Sequence, residues 1–218
     1  MCFTNNIRCN MIQENGLGLT VLLYIRKILN ILYRVLILHN PKMCFDYTAR
    51  IEGLRNIIVN KKIYAGKHFW LATYEHYQNQ SFNPRIVFKG AFSASDFCHI
   101  GATNYVEIGD NVLFGSKVYV TDHGHGIYSG IGVHSLPEVP PVQRNLNENK
   151  QVIIGDNVWV GDNVVILPGV RIGKGCVIGS NAVVTKDLPE NSIAVGIPAK
   201  VVKVYDIGLE KWSKSNMQ

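Results

Sequence analysis

Over residues 154–189 the apolar and polar positions recur every six residues without insertion: IGDNVW VGDNVV ILPGVR IGKGCV IGSNAV VTKDLP. The first position of each hexad is aliphatic: Ile154, Val160, Ile166, Ile172, Ile178 and Val184. The fifth is apolar and mostly small: Val158, Val164, Val170, Cys176, Ala182 and Leu188. Glycine holds the second position in four of the six, and the fourth is always Asn, Gly or Asp. Neither a helix nor an alternating strand produces a strict period of six. The pattern predicts one short strand and one corner per hexad. The first aliphatic points inward, and the fourth residue (Asn157, Asn163, Gly169, Gly175, Asn181, Asp187) turns the chain at positive φ. Three hexads close one triangular coil, so these residues make two coils of a parallel β-helix. A single coil cannot bury its own apolar face, and stacking supplies the core.

The period also runs through IGATNY at Ile100, IGDNVL at Ile108, FGSKVY at Phe114 and VTDHGH at Val120, with a two-residue insertion between the first two. Residues 46–92 hold short apolar runs that read as irregular early coils. Residues 124–150 contain no hexads and three prolines, and a 27-residue excursion from a regular solenoid points to function. The most apolar stretch is residues 17–38, LGLTVLLYIRKILNILYRVLIL. At helical spacing Arg26, Asn30 and Arg34 share one face, with Lys27 beside them. Cations in its middle argue against a membrane span, and no small-residue cleavage pattern follows it. The helix either lies in a membrane interface with its cations toward headgroups, or packs across the N-terminal end of the β-helix as a cap. Packing is the favoured reading. Residues 1–16 read as a loose polar segment, and residues 206–212 as the start of a short helix. The expected organisation is an N-terminal extension (1–45), a β-helix domain (46–205, with loop 124–150) and a C-terminal tail (206–218).

The chain has 218 residues, 47% hydrophobic and 17% charged, ordinary for a folded soluble protein. Its net charge of +6 is unevenly placed. Residues 1–90 carry 12 Lys/Arg against 4 Asp/Glu, and residues 91–218 carry 10 against 12. The basic half suggests an anionic partner such as membrane phospholipid or a charged carrier lipid, against the plainer reading of a solvated basic surface. The cations are scattered and no nucleic-acid motif accompanies them, so nucleic acid is not expected. Five cysteines, an odd count without C-x-x-C, indicate a reducing cytoplasm with neither disulfide frame nor zinc knuckle. The expected location is cytoplasmic, with a peripheral position at the inner membrane through residues 17–38 as its extension.

Four stretches carry a family resemblance: IGDNVLFGSKVYVTDH (108–123), TDHGHGIYS (121–129), IGDNVWVGDNVVILPGV (154–170) and IGSNAVVTKDLPENSIAVGIPAKVVK (178–203). Together they resemble the hexapeptide-repeat acyltransferases, nearest the sugar O-acetyltransferases of bacterial surface-polysaccharide synthesis. The resemblance implies an all-β, left-handed parallel β-helix and a homotrimer with active sites at subunit interfaces. It also implies acetyl-coenzyme A as donor, a glycan or lipid-linked sugar as acceptor, and no metal.

Acetyl transfer to a hydroxyl needs a base, because the hydroxyl is a poor nucleophile until its proton is leaving. Histidine suits this at neutral pH. His123 and His125 lie where the repeat breaks. Matched without gaps to the galactoside-acetyltransferase pattern, the catalytic position falls on His125, the favoured base; with a two-residue gap it falls on His123, kept as its partner or alternative. Asp122 is placed to orient a ring and stabilise its cation. By resemblance, Trp159 lies along the pantetheine arm and Asp162 and Ser180 hydrogen-bond it. Thr185 and Lys186 meet the adenosine end, and Lys200 and Lys203 meet the phosphates. Asn104, Ser95, Tyr128, His134 and Arg144 are candidates for the acceptor side. An amino-sugar N-acetyltransferase, a zinc carbonic anhydrase using some of His99, His123, His125 and His134, and a non-catalytic scaffold are the rival readings.

Overall fold

In the computed structural model, residues 3–129, 131–132, 134–147 and 149–215 are described, with side chains from residue 14 onward. Six triangular coils stack through three parallel sheets. Face A is built from Met43–Phe45, Ile63–Ala65, Phe92–Ala94, Val112–Phe114, Trp159–Val160, Val177–Ile178 and Ser192–Val195. Face B stacks Arg50–Glu52, Trp70–Thr73, His99–Ala102, Tyr119–Thr121, Val165–Ile166 and Val183–Val184. Face C stacks Ile57–Val59, Arg85–Phe88, Tyr105–Ile108, Gln151–Ile154 and Arg171–Ile172. Each coil runs A to B to C, so every hexad strand lies one coil above its equivalent.

The hexad rules hold in the folded chain. All six first-position aliphatics and all six fifth-position side chains are buried. Each aliphatic taken out of water this way contributes about 1.5–3 kcal/mol. Asn157, Asn163, Gly169, Gly175 and Asn181 turn at positive φ. Asp187 does not join this set. Its carboxylate instead accepts the Arg171 N–H of the coil beneath at 2.7 Å, tying the two coils together. The second-position glycines have a different cause, close approach of the next coil: a Cβ on Gly161 would stand 2.7 Å from the Ser180 nitrogen.

The early coils are regular, contrary to the irregular reading of residues 46–92. Their strands keep register with the later ones. What differs is the filling. Phe45, Phe69, Phe88, Phe92 and Phe114 occupy the interior, with ring centroids 5.0–6.3 Å apart. A small antiparallel hairpin, His76–Tyr77 with Gln80–Ser81, leaves the second coil at the corner between faces B and C.

At the N-terminus a helix runs over Phe3–Leu32, broken at Gly16 (φ 72, ψ 164), and passes into a wider turn at Tyr33–Ile37. The loose segment expected at residues 1–16 is therefore helical from residue 3; residues 1–2 lie outside the described residues. The helix packs on the first coil, as favoured. At the other end, the helix expected over 206–212 is a hairpin. Lys200–Asp206 runs antiparallel to Ser192–Val195 and to Lys211–Lys214. A cross-strand Tyr205–Trp212 ring contact, with centroids 5.4 Å apart, favours strands there. Residues 216–218 lie outside the described part. Cys44, Cys98 and Cys176 carry free thiols, and Cys2 and the Cys9 side chain lie outside the described residues.

Candidate functional site

The edge between faces B and C carries both interruptions of the stack. The hairpin leaves it in the second coil and the 124–150 excursion in the fourth. The last residues of the fourth face-B strand therefore meet the mouth of the long loop.

Asp122 lies at this edge and is 1% exposed. Its Oδ1 accepts the Thr103 backbone N–H (2.9 Å) and hydroxyl (3.2 Å), and its Oδ2 accepts the Asn104 N–H at 2.8 Å. The carboxylate thus fastens the corner of the coil beneath it. Oδ1 also lies 2.9 Å from His123 Nδ1. A carboxylate only accepts, so the proton of a neutral His123 sits on Nδ1 and its lone pair on Nε2. Thr121 Oγ1 stands 3.0 Å from the same Nδ1. No hydrogen bond joins Nε2 to another described residue. The ring is half-buried, with Tyr74 edge-on at 5.7 Å.

His125 lies on the loop itself and is exposed. Its Nδ1 is 3.1 Å from the Tyr77 hydroxyl, which donates its one proton to Val142 O at 2.6 Å. His125 therefore donates to a phenol oxygen and has no carboxylate partner. Gln80 adds a two-way bond to Leu146: Nε2 to O at 3.1 Å and Oε1 from N at 2.7 Å. Gln78 also donates to Val142 O. The hairpin of the second coil pins the excursion of the fourth. Gly126, at φ 98, passes against the Tyr128 ring where a Cβ would stand 2.3 Å from its hydroxyl oxygen.

His99, one coil below His123, is sandwiched on face B. Its ring stacks on Trp70 at 4.0 Å and meets Tyr119 edge-on at 5.1 Å, while Arg50 covers the far side of Trp70 at 4.4 Å. Burial, the nearby His123 and Arg50 pull its pKa down to about 4. His99 is therefore neutral at physiological pH. Sequence reasoning missed Tyr74, Tyr77, Gln78, Gln80 and Thr103. The signal for the hairpin was present as the polar run EHYQNQSFNP between two apolar strands.

The acceptor candidates divide. Asn104 joins the His123 edge, but its Nδ2 is already donated to Lys150 O at 2.8 Å, closing the end of the loop. Tyr128 and Arg144 brace the loop internally: Arg144 Nη1 donates to Tyr128 at 2.7 Å, and Tyr128 donates to His125 O at 2.8 Å. Arg144 also donates to Val139 O and Pro137 O. His134 lines a shallow cavity of the same loop. Ser95 sits at the corner between faces A and B, across the whole of face B from His123.

The coenzyme candidates divide too. Trp159 projects from face A, 53% exposed. Asp162 and Ser180 stack at the A–B corner, where the Asp162 N–H donates to Ser180 Oγ (3.2 Å) and its carboxylate accepts Ser116 N–H (2.5 Å). Thr185, Lys186 and Lys200 instead line one groove of about 430 Å³ at the C-terminal end of the B–C edge. Lys203 is exposed on the terminal hairpin, paired across to Ile193 and Lys214. Within one chain, Trp159, Asp162 and Ser180 do not meet His123. Among the described residues no group of three or more His, Cys, Asp or Glu side chains is arranged to hold a metal ion.

Comparison with known proteins gives this edge a context. The bacterial transferase hexapeptide family (six repeats) matches residues 151–186, and the hexapeptide repeat of succinyl-transferase matches residues 105–134. WbbJ of Escherichia coli, assigned as a lipopolysaccharide biosynthesis O-acetyl transferase, is 42% identical over 130 residues, 60% of this chain and 66% of WbbJ. The galactoside O-acetyltransferase of the same organism is 36% identical over 129 residues, 51% of this chain and 56% of that protein. The chain thus spans somewhat less than two thirds of these relatives. Among solved structures, a mutant of AntD, an N-acyltransferase from Bacillus cereus in complex with an amino-dideoxyglucose nucleotide and coenzyme A, superposes with TM-score 0.58. At 19% identity, covering 77% of this chain and 83% of that one, it shares the fold. The coil is left-handed, as the resemblance implied. Repeat, fold and relatives agree, and the chain belongs to the hexapeptide-repeat acyltransferase family.

Proposed function

We propose that this protein is an acetyl-CoA-dependent O-acetyltransferase, with a sugar hydroxyl of a cell-surface glycan or its lipid-linked precursor as acceptor and His123 as general base. The observation that carries the reading is the Asp122–His123 pair at the mouth of the excursion. It holds a carboxylate-oriented imidazole, whose Nε2 has no hydrogen-bond partner among the described residues, on the residue just before the 124–150 excursion. Nε2 takes the hydroxyl proton as the oxygen attacks the thioester carbonyl. The tetrahedral intermediate then expels the CoA thiolate, which receives that proton from the imidazolium. The Asp122 carboxylate stabilises the cation between the two transfers. Coenzyme A would meet Trp159, Asp162 and Ser180 along its arm, with Thr185, Lys186 and Lys200 toward its polyanionic end. Lys keeps the charge there without the planar fork of Arg.

These groups lie on different edges of the prism, so the reading requires a neighbouring protomer to bring one edge against another. A homotrimer meets that requirement. Two inactive variants, His123→Ala and Trp159→Ala, then regain part of their activity when co-assembled, since a mixed interface pairs an intact histidine with an intact tryptophan.

The deciding assay is thiol release from acetyl-CoA by the purified chain with neutral sugar, glycan and amino-sugar-nucleotide acceptors. Acetyl transfer to a hydroxyl, lost in His123→Ala, is the expected result. Transfer only to the amine replaces the O-acetyl assignment, and unchanged turnover in His123→Ala overturns the base. Stoichiometric zinc with carbon dioxide hydration would point instead to the hydratase. Acetyl-CoA as donor makes the cytoplasm the compartment of this proposed reaction.

A further inference from the structure

The N-terminal helix is attached by its polar side. Arg26 Nε donates to Asp46 Oδ2 at 2.7 Å, Asn30 Oδ1 accepts the Tyr47 N–H at 2.8 Å, and the Tyr33 hydroxyl donates to Ala49 O at 2.8 Å. Arg26 therefore faces the first coil, as does Arg34, which donates to Cys44 Sγ, while Lys27 stays exposed. The opposite side is apolar and uncovered: Val21, Leu22, Ile25, Ile28, Leu29 and Leu32 are 37–62% exposed. At 100° per residue they cover about 120° of the helix surface, wider than a two-residue-per-heptad helix seam.

The surroundings favour one occupant. Residues 15–45 contain no acid, and residues 14–67 hold nine Lys/Arg against three Asp/Glu. Exposed Lys27 on the helix and exposed Lys62 on the coil beneath flank a groove shared with Arg34 and Tyr64. Tyr47 is also exposed beside it. Exposed Ile31 carries the apolar surface round to Lys27 at the mouth of this groove, and such a border of apolar and cationic side chains suits the boundary between acyl chains and anionic headgroups. The same charge opposes pairing with a second copy of the patch. Among the described residues no helix is long and apolar enough to cross a membrane.

We propose that this face docks on an anionic lipid bilayer, with the helix axis lying in the interface. The helix is already ordered by its bonds to the first coil, so little folding entropy opposes docking. This partner is independent of the acetyl-transfer reading, because vesicle binding is measured without turnover.

The test is flotation of the full chain with phosphatidylcholine vesicles, with and without phosphatidylglycerol, beside light scattering of the lipid-free protein. The expected result is flotation with the anionic vesicles, at least about tenfold stronger than with phosphatidylcholine alone. Leu22→Glu combined with Leu29→Glu abolishes it while leaving the thermal melt and molar mass unchanged. Lys27→Glu combined with Lys62→Glu weakens it about tenfold. A wild-type chain that stays behind with both vesicle types overturns the proposal. So does a fall in lipid-free molar mass in the Leu→Glu pair, which would make the face an interface between copies. Equal anionic binding by the Lys→Glu pair and the wild type overturns the electrostatic part.

Discussion

His123 and His125 are two residues apart and belong to different regions. His123 stands two residues past the face-B strand Tyr119–Thr121, at the end of a coil. Its backbone neighbours are in register with strands above and below, and its ring leans on a buried carboxylate that also fastens the coil beneath. His125 belongs to the excursion and is held by a hairpin that itself leaves the stack. The repeat thus supplies precise placement and a charged partner, whereas the inserts supply contact surface. A phenol oxygen can orient an imidazole but cannot neutralise an imidazolium, and this separates the two rings as candidate bases.

The largest effect expected from this contrast is on turnover. His123→Ala should lower kcat by about 10²–10⁴, the usual worth of a positioned base. His125→Ala should cost no more than about tenfold, read as a change in KM for the acceptor. Steady-state thiol release on both variants decides, and the reverse ranking would move the base onto the loop. Asp122→Ala comes next, because it leaves the Thr103 and Asn104 amides without their acceptor. A loss of about 1–3 kcal/mol per unpaired amide is expected in chemical denaturation, together with reduced turnover.

Tyr77→Phe removes one hydrogen bond from His125 and another from Val142. A stability cost of about 0.5–1.5 kcal/mol is expected, with faster amide exchange in the loop and kcat little changed. The smallest effect concerns His99. Its native pKa, about 4, lies below the ordinary value of 6.5, so the unfolded chain binds a proton that the native one does not. Stability is then full above about pH 6.5 and is lost as pH falls toward 4. His99→Phe keeps the ring stack and should flatten that part of the melting-temperature profile.

The C-terminal coils were legible because small aliphatics at both inward positions leave the period uncovered. The early coils were not, because phenylalanines fill the same prism and break the aliphatic rhythm. Their hairpin further obscured the phase. The Asp122–His123 pair was legible as residues near the break, but ungapped matching favoured His125; the Asp122 carboxylate at His123 Nδ1, which spacing does not reveal, is what moves the proposal to His123. The helix polarity was readable from spacing; which side met the coil was not, because both lipid and protein can satisfy Arg26 and Arg34. Nor does a period say which edges of neighbouring chains adjoin, so the distance of Trp159 and Ser95 from His123 within one chain was hidden.

The stack changes length at one corner only. The hairpin and the excursion both emerge between faces B and C, two coils apart, or about 10 Å along the axis. Elsewhere the ladder advances without interruption, each rung templating the next. That corner can therefore vary separately from the scaffold: exchanging the two inserts as a matched pair would reshape the surface beside His123 while the rungs pass on unchanged.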